Sequence, residues 1–341
     1  MRLNRERSQR TGLPRLRLLA AVGVPLIAGV GVAATLPASA APPPGHLPGW
    51  HSVFFDNFSG PAGSGVDNRW NYDIGTQYTG TGCTPSWGTG EVETETASTA
   101  NAVENGHGLT ITPVESNGSW TSARLETVRD NFAAPAGGEM EVSASIQQPD
   151  PANGLGYWPA FWMLGSGYRS TGFGTDGLMD CSAWPTTGEI DIMEDVNALS
   201  DVSGTLHCGF VSYVNGFNGG PCNEYTGLSS GLQKCPGCQT GYNTYSVVVD
   251  RTDPGNGQIR WYLDGTEYFS VSESRVGATY WNDVVDHGFM IILDVAMGGA
   301  FPNAICGCSS PGSSTTSGAG MNVAWVSVAV RGGQGHLGRG R

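Results

Sequence analysis

Short apolar runs separated by turn residues make up most of this chain, and several of them alternate apolar and polar residues. A period of two is typical of β-strands with one buried face. The clearest predicted strands are residues 245–250, 259–263, 267–271, 289–295 and 323–330, and Asp264-Gly265 predicts a tight hairpin turn. No stretch of the sequence keeps a helical period. The pattern therefore predicts an all-β fold, either a sandwich or a barrel.

Three carboxylates alternate with apolar side chains in residues 188–195, Gly-Glu-Ile-Asp-Ile-Met-Glu-Asp. A period of two puts Glu189 and Asp191 on one face of a strand and Glu194 on the other. A β-bulge at Ile192-Met193 would return Glu194 to the face of its partners. A solvated strand face is the alternative, but acidic residues are poor strand formers. Neighbouring carboxylates instead suit a glycosidase, which needs a nucleophile and a proton donor.

With its flanking residues this motif resembles glycoside hydrolase family 16. The flanks are Trp158-Pro-Ala-Phe-Trp-Met-Leu164 and Trp184-Pro185, and looser similarity runs from about residue 53 to residue 330. The family's signature is Glu-x-Asp-x-(x)-Glu. Its optional residue, here Met193, marks a bulged branch that includes laminarinases, agarases, carrageenases and galactanases. The resemblance implies a concanavalin A-like β-jelly-roll sandwich, in which two packed antiparallel sheets form a concave substrate cleft.

The resemblance also implies a role for each acid. Glu189 is the nucleophile, Glu194 is the general acid/base, and Asp191 assists between them. Retaining hydrolysis by double displacement needs the two glutamate carboxyls about 5–5.5 Å apart. Five strand residues span roughly 16 Å, so the strand must curve and bulge. The two glutamates must also hold different protonation states at one pH, which unequal environments can arrange.

Seven further residues are predicted to bind substrate, from the resemblance and because aromatic rings stack on sugars: Trp87, Glu91, Arg124, Trp158, Trp162, Trp184 and His207. Each has a structural alternative, such as core packing for the tryptophans and a surface ion pair for Arg124. The chain departs from the family at Gly90, where many members have asparagine, at residues 93–96 and at Asn197, which leaves the sugar and the linkage open. Ala324 replaces an aspartate that often helps to hold a structural calcium, so we predict no cofactor and regard calcium as doubtful.

Residues 1–40 predict an export signal peptide. Six arginines precede an apolar run over residues 18–36, and Ala38-Ser39-Ala40 offers a cleavage site. An N-terminal membrane anchor is the alternative. We expect residues 41–50 to be a Pro-rich lead-in, residues 51–330 one catalytic domain, and residues 331–341 a flexible tail.

The net charge of the chain limits the classes of partner that it can bind. The chain of 341 residues has 17 basic and 30 acidic residues. Cleavage would remove six arginines and Glu6, leaving 11 basic and 29 acidic residues and a net charge of −18. That excess, with Lys234 as the only lysine in the sequence, argues against nucleic acid and anionic membranes. We expect a secreted, extracellular monomer that acts on a neutral β-linked polysaccharide.

Eight cysteines in an exported chain predict disulfides, although their pairing does not follow from the sequence. A four-sulfur zinc site from Cys235-Pro-Gly-Cys238 and Cys306-Gly-Cys308 is the alternative. Three functions remain open: hydrolysis of a β-1,3-glucan, the same chemistry or sugar transfer on a β-galactan or another β-linked polymer, and sugar binding without catalysis, as in lectins. The three close acids disfavour the last, because burying them is costly without a catalytic use.

Overall fold

The computed structural model describes residues 48–169 and 178–333. The predicted export signal (1–40), most of the lead-in and most of the tail lie outside the described residues. Among the described residues, no helix is both long and apolar enough to cross a membrane.

The described residues form the following strands, in chain order: β1 (His51–Asp56), β2 (Trp70–Asp73), β3 (Thr79–Thr81), β4 (Thr94–Glu95), β5 (Ala102–Glu104), β6 (Leu109–Ile111), β7 (Val114–Ser116), β8 (Ser119–Ser122), β9 (Arg124–Thr127), β10 (Gly138–Gln147), β11 (Tyr157–Gly165), β12 (Leu178–Asp180), β13 (Glu189–Glu194), β14 (Asp201–His207), β15 (Tyr213–Val214), β16 (Phe217–Asn218), β17 (Leu228–Ser229), β18 (Gln233–Lys234), β19 (Asn243–Asp250), β20 (Gln258–Leu263), β21 (Thr266–Ser272), β22 (Phe289–Met297) and β23 (Met321–Gly332). The helices are α1 (Glu273–Val276), α2 (Ala278–Val285) and α3 (Ala300–Cys306).

Most of these strands belong to two large antiparallel sheets. The acid sheet, which contains β13, has the order β17-β14-β13-β11-β22-β9-β2, with β18 beside β14. The back sheet has the order β21-β20-β19-β10-β23-β6-β5, with β1 beside β23. Because β1 and β23 pair over residues 51–56 and 326–330, the two ends of the described chain meet in one sheet. The predicted hairpin is confirmed, since Asp264 and Gly265 both have positive φ between β20 and β21.

The core lies between the two sheets and takes one face of each strand. On β10 every second residue is fully buried, from Met140 to Ile146, and on β13 Ile190, Ile192 and Met193 join the same cluster. Each buried methionine, valine or isoleucine in this set contributes about 1.5–3 kcal/mol when removed from water. The packing of two antiparallel sheets over this core confirms the predicted sandwich. The short helices were not predicted, because four to eight residues are too few to display a period.

All eight cysteines are paired, as Cys83–Cys181, Cys208–Cys222, Cys235–Cys238 and Cys306–Cys308. This confirms the prediction of disulfides. The alternative of a four-sulfur zinc site is wrong for this structure, because its four cysteines are bonded in two separate bridges.

Candidate active site

A bulge in β13 brings the three motif acids to one face of the acid sheet. Their partners on β11 alternate regularly: Glu189 pairs with Leu164, Asp191 with Trp162, and Glu194 with Ala160. Ile192 has no partner on β11, and the register against β14 shifts at the same point. The bulge predicted at Ile192-Met193 is thereby confirmed. The partners of the two glutamates are four residues apart, so the bulge reduces their separation along the sheet to roughly 13 Å, a gap that two glutamate side chains can narrow.

The three acids lie in a crowded, largely dry environment. The side chain of Glu189 is 18% exposed, whereas Asp191 and Glu194 are buried. The indole N–H of Trp158 donates to Glu194 Oε1 at 2.9 Å. On the core side, the indole N–H of Trp261 donates to the Asp191 carbonyl at 2.7 Å, which ties the bulge to the back sheet. The strand is therefore held from both faces.

His207 at the end of β14 lies against two of the acids. Its Nε2 lies 3.4 Å from Asp191 Oδ2 and 3.8 Å from Glu189 Oε1. Its Nδ1 lies 2.7 Å from Glu224 Oε2, and the other oxygen of Glu224 accepts the backbone N–H of Cys208 at 2.9 Å. Glu224 is fully buried. The imidazole thus connects a buried carboxylate behind the site to the acids of the motif.

Burial and like charges set the protonation of these groups. Burial, with the charge of Asp191, raises the pKa of Glu189 to about 8, while His207 and Arg124 oppose the rise. Burial and Asp191 also raise the pKa of Glu194 well above its ordinary value, opposed by the hydrogen bond from Trp158. Burial alone would lower the pKa of His207, but its contacts with Asp191 and Glu224 raise it well above its ordinary value, which favours the protonated imidazole.

Double displacement needs one glutamate ionised and the other protonated. His207 lies 3.8 Å from Glu189, and the hydrogen bond to Glu194 comes from a neutral indole. A cation beside a carboxyl favours its ionisation more than a neutral donor does. We therefore expect Glu189 to lose its proton before Glu194, as the predicted roles require.

Trp158 and Trp184 lie at the acids, where the sequence predicts them. Trp158 bonds Glu194, and its ring packs edge-on against Phe301 of α3 at 5.9 Å. Trp184 is half-buried, with its ring 5.6 Å from His207 and nearly parallel to Tyr225 at 5.8 Å. Both rings border the motif acids, and sugar stacking on them stays a prediction.

Arg124 is a buried cation, not a surface residue. Its guanidinium lies 4.6 Å from the ring centre of Trp87 and 4.7 Å from that of Trp162. Its charge faces Asp73 at 3.6 Å and Asp294 at 3.9 Å. The surface ion pair considered as its alternative is therefore wrong. A desolvated cation between aromatic rings is stabilised by about 2 kcal/mol or more.

Trp87 and Trp162 both pack against the guanidinium of Arg124. Trp162 is only 8% exposed and donates its indole N–H to Asp294 Oδ1 at 3.0 Å, so a sugar could meet little of its ring. Trp87 is half-buried, and both it and Ser86 have positive φ, a strained conformation outside glycine. That backbone holds the Trp87 ring over the guanidinium. Substrate contact by either tryptophan stays a prediction.

Glu91 begins a run of buried acids. Its Oε1 accepts the hydroxyl of Thr89 at 2.5 Å, and Glu93 Oε2 accepts the Met297 N–H at 2.8 Å. Glu95 is fully buried, and neither of its carboxylate oxygens has a hydrogen-bond partner among the described residues. Burial, with the charge of Asp294, raises the pKa of Glu95 well above its ordinary value, so this carboxyl is neutral. Contact of Glu91 with substrate stays a prediction.

The donor atoms of Glu189, Asp191 and His207 lie within 4.8 Å of one another, close enough for a cation to bridge them. A protonated His207 already supplies positive charge there, and both of its nitrogens are engaged. We assign no metal to these residues. Ala324 on β23 offers no side-chain oxygen at the position where the family often uses aspartate. The predicted absence of a cofactor and the doubtful calcium stay predictions.

Comparison with known proteins places the chain in a family. The family model described as "XgeA-like, catalytic GH16 domain" matches residues 147–254, which include the three acids and Glu224. The crystal structure of an endo-1,3-β-glucanase from Streptomyces sioyaensis is similar, with a TM-score of 0.76 and 41% identity, over 86% of this chain and 99% of that one. The chain belongs to glycoside hydrolase family 16. The predicted resemblance, the jelly-roll sandwich and the glycoside hydrolase class are thereby confirmed.

Two curated relatives of this family 16 chain are more distant. Glucan endo-1,3-β-glucosidase A1 of Niallia circulans is 28% identical over 279 residues, which cover 76% of this chain and 36% of that protein. A β-glucanase of Rhodothermus marinus is 29% identical over 263 residues, which cover 74% of this chain and 78% of that protein. The chain thus spans about a third of the first relative and about three quarters of the second.

Sequence reasoning missed two residues of the family 16 site. Glu224 and Tyr225 lie in a loop rich in glycine and asparagine, where no period of apolar residues marks them. Their proximity to His207 and Trp184 arises from the fold, because the Cys208–Cys222 bridge returns the loop to the end of β14. The one available clue was a lone acid close to a cysteine that a disulfide was expected to hold.

Proposed function

We propose that this chain is a secreted, retaining endo-glycosidase that hydrolyses β-1,3-glucosidic bonds in a neutral β-glucan by double displacement. The observation that carries the proposal is the bulge in β13, which turns Glu189, Asp191 and Glu194 to one face of the acid sheet. The relatives named endo-1,3-β-glucanase and glucan endo-1,3-β-glucosidase support the choice of linkage.

In the first step, Glu189 attacks the anomeric carbon and Glu194 gives its proton to the leaving glycosidic oxygen. A glycosyl-enzyme ester forms at Glu189, and the half of the polymer carrying the new hydroxyl departs. In the second step, Glu194 takes a proton from water, which attacks the anomeric carbon and releases Glu189. Two inversions restore the original β configuration.

The surrounding residues support these roles through charge. His207 favours ionisation of Glu189, and the Trp158 N–H holds one oxygen of Glu194. Asp191 lies between the glutamates and contacts His207 at 3.4 Å. Its charge raises the pKa of both glutamates, which keeps a proton in the site for the leaving group. We propose that Asp191 assists in this way.

Extracellular action rests on two features. The predicted export segment precedes the catalytic domain, and all eight cysteines are paired, as is typical of an oxidising compartment. Mass determination of protein recovered from the culture medium tests this: a chain that begins at residue 41 supports export with cleavage, and retention of the chain in cells contradicts it.

Product analysis tests the reaction. Protein lacking residues 1–40 is incubated with laminarin, lichenan, β-1,3-galactan and agarose, and the products are followed by proton NMR. We expect internal cleavage of laminarin with the β-anomer formed first. A first-formed α-anomer would overturn retention, and cleavage of the galactan without cleavage of laminarin would overturn the substrate. Binding without cleavage of any polymer would indicate a lectin-like protein.

Variants test the nucleophile. Glu189→Gln is expected to abolish turnover and keep both the fold and sugar binding, because glutamine has the same shape but cannot attack. Azide added to Glu189→Ala should give an inverted, α-configured glycosyl azide. Substantial residual activity in Glu189→Gln would remove the assignment.

A further inference from the structure

An aromatic loop beside the acid sheet exposes large side chains that neither the core nor the catalytic step uses. This loop, residues 208–227, carries Tyr213 at 68%, Phe217 at 75% and Tyr225 at 61% exposure. Single exposed apolar residues are ordinary on protein surfaces, but several in one place mark a binding surface. These three lie within 13 residues of one another along the chain.

The loop is a built structure. The Cys208–Cys222 bridge closes its base, and β15 and β16 form a hairpin within it, in which Tyr213 pairs with Asn218. The hydroxyl of Thr186 donates to the Gly209 carbonyl at 2.8 Å. These contacts anchor the loop to the turn before β13 and leave its aromatic side chains exposed.

The hairpin and the return of the loop enclose an open depression of about 510 Å³. The residues that line it are Tyr213, Gly216, Phe217, Asn218, Asn223 and Thr226. The described residues that line it carry no charge. Exposed aromatic residues beside amide and hydroxyl side chains suit a neutral ligand that has both apolar faces and hydroxyl groups. A neutral sugar chain has this chemistry, whereas an anionic partner would find no cation on these walls.

A series of contacts joins Tyr225, the chain neighbour of Thr226 in the depression, to the catalytic acids. Tyr225 lies nearly parallel to Trp184, Trp184 contacts His207, and His207 contacts Glu189. The buried carboxylate of Glu224, adjacent to Tyr225 in the chain, holds the same histidine from behind. A polymer bound across the acids and extending past Trp184 therefore continues onto the aromatic loop.

We propose that the aromatic loop is a secondary binding site for the neutral β-glucan chain, contiguous with the catalytic cleft on its Glu189 side. This inference rests on the proposed function. The site holds the part of a long polymer that lies beyond the cleaved bond and adds nothing to a chain too short to reach it. Tyr213 and Phe217 supply the stacking surfaces, and Asn218 and Asn223 supply hydrogen bonds.

The test compares long and short substrates. The variant replaces Tyr213 and Phe217 by alanine, and the readout is the ratio of kcat/KM on long laminarin chains to that on a short β-1,3-gluco-oligosaccharide. We expect this ratio to fall about 10-fold, the loss expected for removal of two aromatic contacts. In affinity gels containing laminarin, the same double variant made in Glu189→Gln protein should migrate faster than Glu189→Gln alone.

Two controls separate stacking from folding. The exchange Tyr213→Phe with Phe217→Tyr keeps both rings and should keep the ratio. Phe55→Ala removes a ring that is exposed on β1 of the back sheet and should also leave the ratio unchanged. An unchanged ratio and unchanged migration in the alanine variant would overturn the inference, and so would a ratio lost equally in Phe55→Ala.

Other occupants give other results. If the loop is instead an interface between two copies, the alanine variant will change sedimentation and leave laminarin binding intact, which also overturns the inference. If the protein cleaves no β-1,3-glucan but the alanine variant still loses laminarin binding, the proposed function fails and the secondary site stands.

Discussion

Replacing Glu224 by glutamine removes a negative charge behind the site while keeping the length of the side chain. In the native protein, one oxygen of Glu224 lies 2.7 Å from His207 Nδ1 and the other accepts the Cys208 N–H at 2.9 Å. Glutamine can keep the second contact through its carbonyl oxygen. Its NH₂ group then faces the imidazole and cannot stabilise the protonated ring. The perturbation therefore acts on the charge of His207.

The magnitude follows from the contact that is lost. A hydrogen bond to a charged group is worth about 1.5–3 kcal/mol, which corresponds to roughly 10- to 150-fold in an equilibrium or a rate. Two opposing electrostatic effects act on the pKa of Glu189. The charge of His207 lowers its pKa and the charge of Glu224 raises it, and the effect of His207 is the larger of the two. Losing both charges should therefore raise the pKa of Glu189.

The assay is the dependence of kcat/KM on laminarin between about pH 4 and 9. The acidic limb of this profile reports ionisation of the nucleophile, so we expect Glu224→Gln to move it to higher pH. The pKa of His207 is raised in the folded protein. The stability from its charged form is therefore complete below the ordinary pKa of about 6.5 and disappears as the pH rises through the raised value. The loss of Tm in Glu224→Gln should be largest at acidic pH.

Glu139→Gln is the matched control. Glu139 is a buried carboxylate of the back sheet that pairs with Arg260 and Arg331. The Glu139→Gln variant should have a lower Tm and an unchanged pH profile, because its arginine partners do not titrate in this range. If Glu224→Gln lowers Tm in the same way without shifting the acidic limb, Glu224 supports the fold alone and the reasoning is refuted.

Two further predictions test the proposed acid/base role of Glu194 and the contribution of the disulfides to stability. Trp158→Phe removes the N–H that donates to Glu194, so the ionised carboxylate of Glu194 loses about 1.5–3 kcal/mol of stabilisation. The pKa of Glu194 should therefore rise, and the alkaline limb of the kcat/KM profile should move to higher pH. Trp162→Phe is the control, because the N–H of Trp162 donates to a carboxylate outside the motif. Equal shifts of the alkaline limb in the two variants would contradict the role of Trp158 at Glu194. Replacing Cys83 and Cys181 by serine opens a bridge that spans 98 residues, for which chain entropy gives about 4–5 kcal/mol. Calorimetry should show a much larger loss of Tm than removal of the Cys306–Cys308 bridge gives, because that bridge spans 2 residues, and equal losses would refute this account.

The parts of the site that lie on one strand were predictable, because a strand has a fixed period. Alternation placed Glu189 and Asp191 on one face, and the extra residue in the motif required a bulge before Glu194 could join them. The observed register confirms that reasoning. The hairpin at Asp264-Gly265 was predictable for the same local reason.

The parts that depend on distant segments were not predictable in the same way. Arg124 was expected to bind substrate or to form a surface ion pair, yet it is buried under Trp87, which precedes it by 37 residues. Glu224 reaches His207 only because a disulfide closes the loop between them. Neither contact leaves a periodic trace in the sequence.

Two departures from the family pattern have local physical reasons. Gly90 has a φ of 86°, a conformation that both glycine and asparagine adopt readily, so glycine can replace the family's usual asparagine. Asn197 accepts the Gly156 N–H and donates to the Pro302 carbonyl, so its side chain connects loops. These two positions therefore have structural roles in this chain.

The charge of the site runs against the charge of the protein. A net charge of −18 after removal of residues 1–40 would by itself disfavour the ionisation of a further carboxyl group. Two buried cations oppose this at Glu189: His207 from β14 on one side of β13, and Arg124 from β9 on the other. Each is fixed by acids outside the motif, His207 by Glu224 and Arg124 by Asp73. Because both cations are held away from solvent, the nucleophile's ionisation depends on the fold, and a substitution that frees either cation changes catalysis without touching substrate.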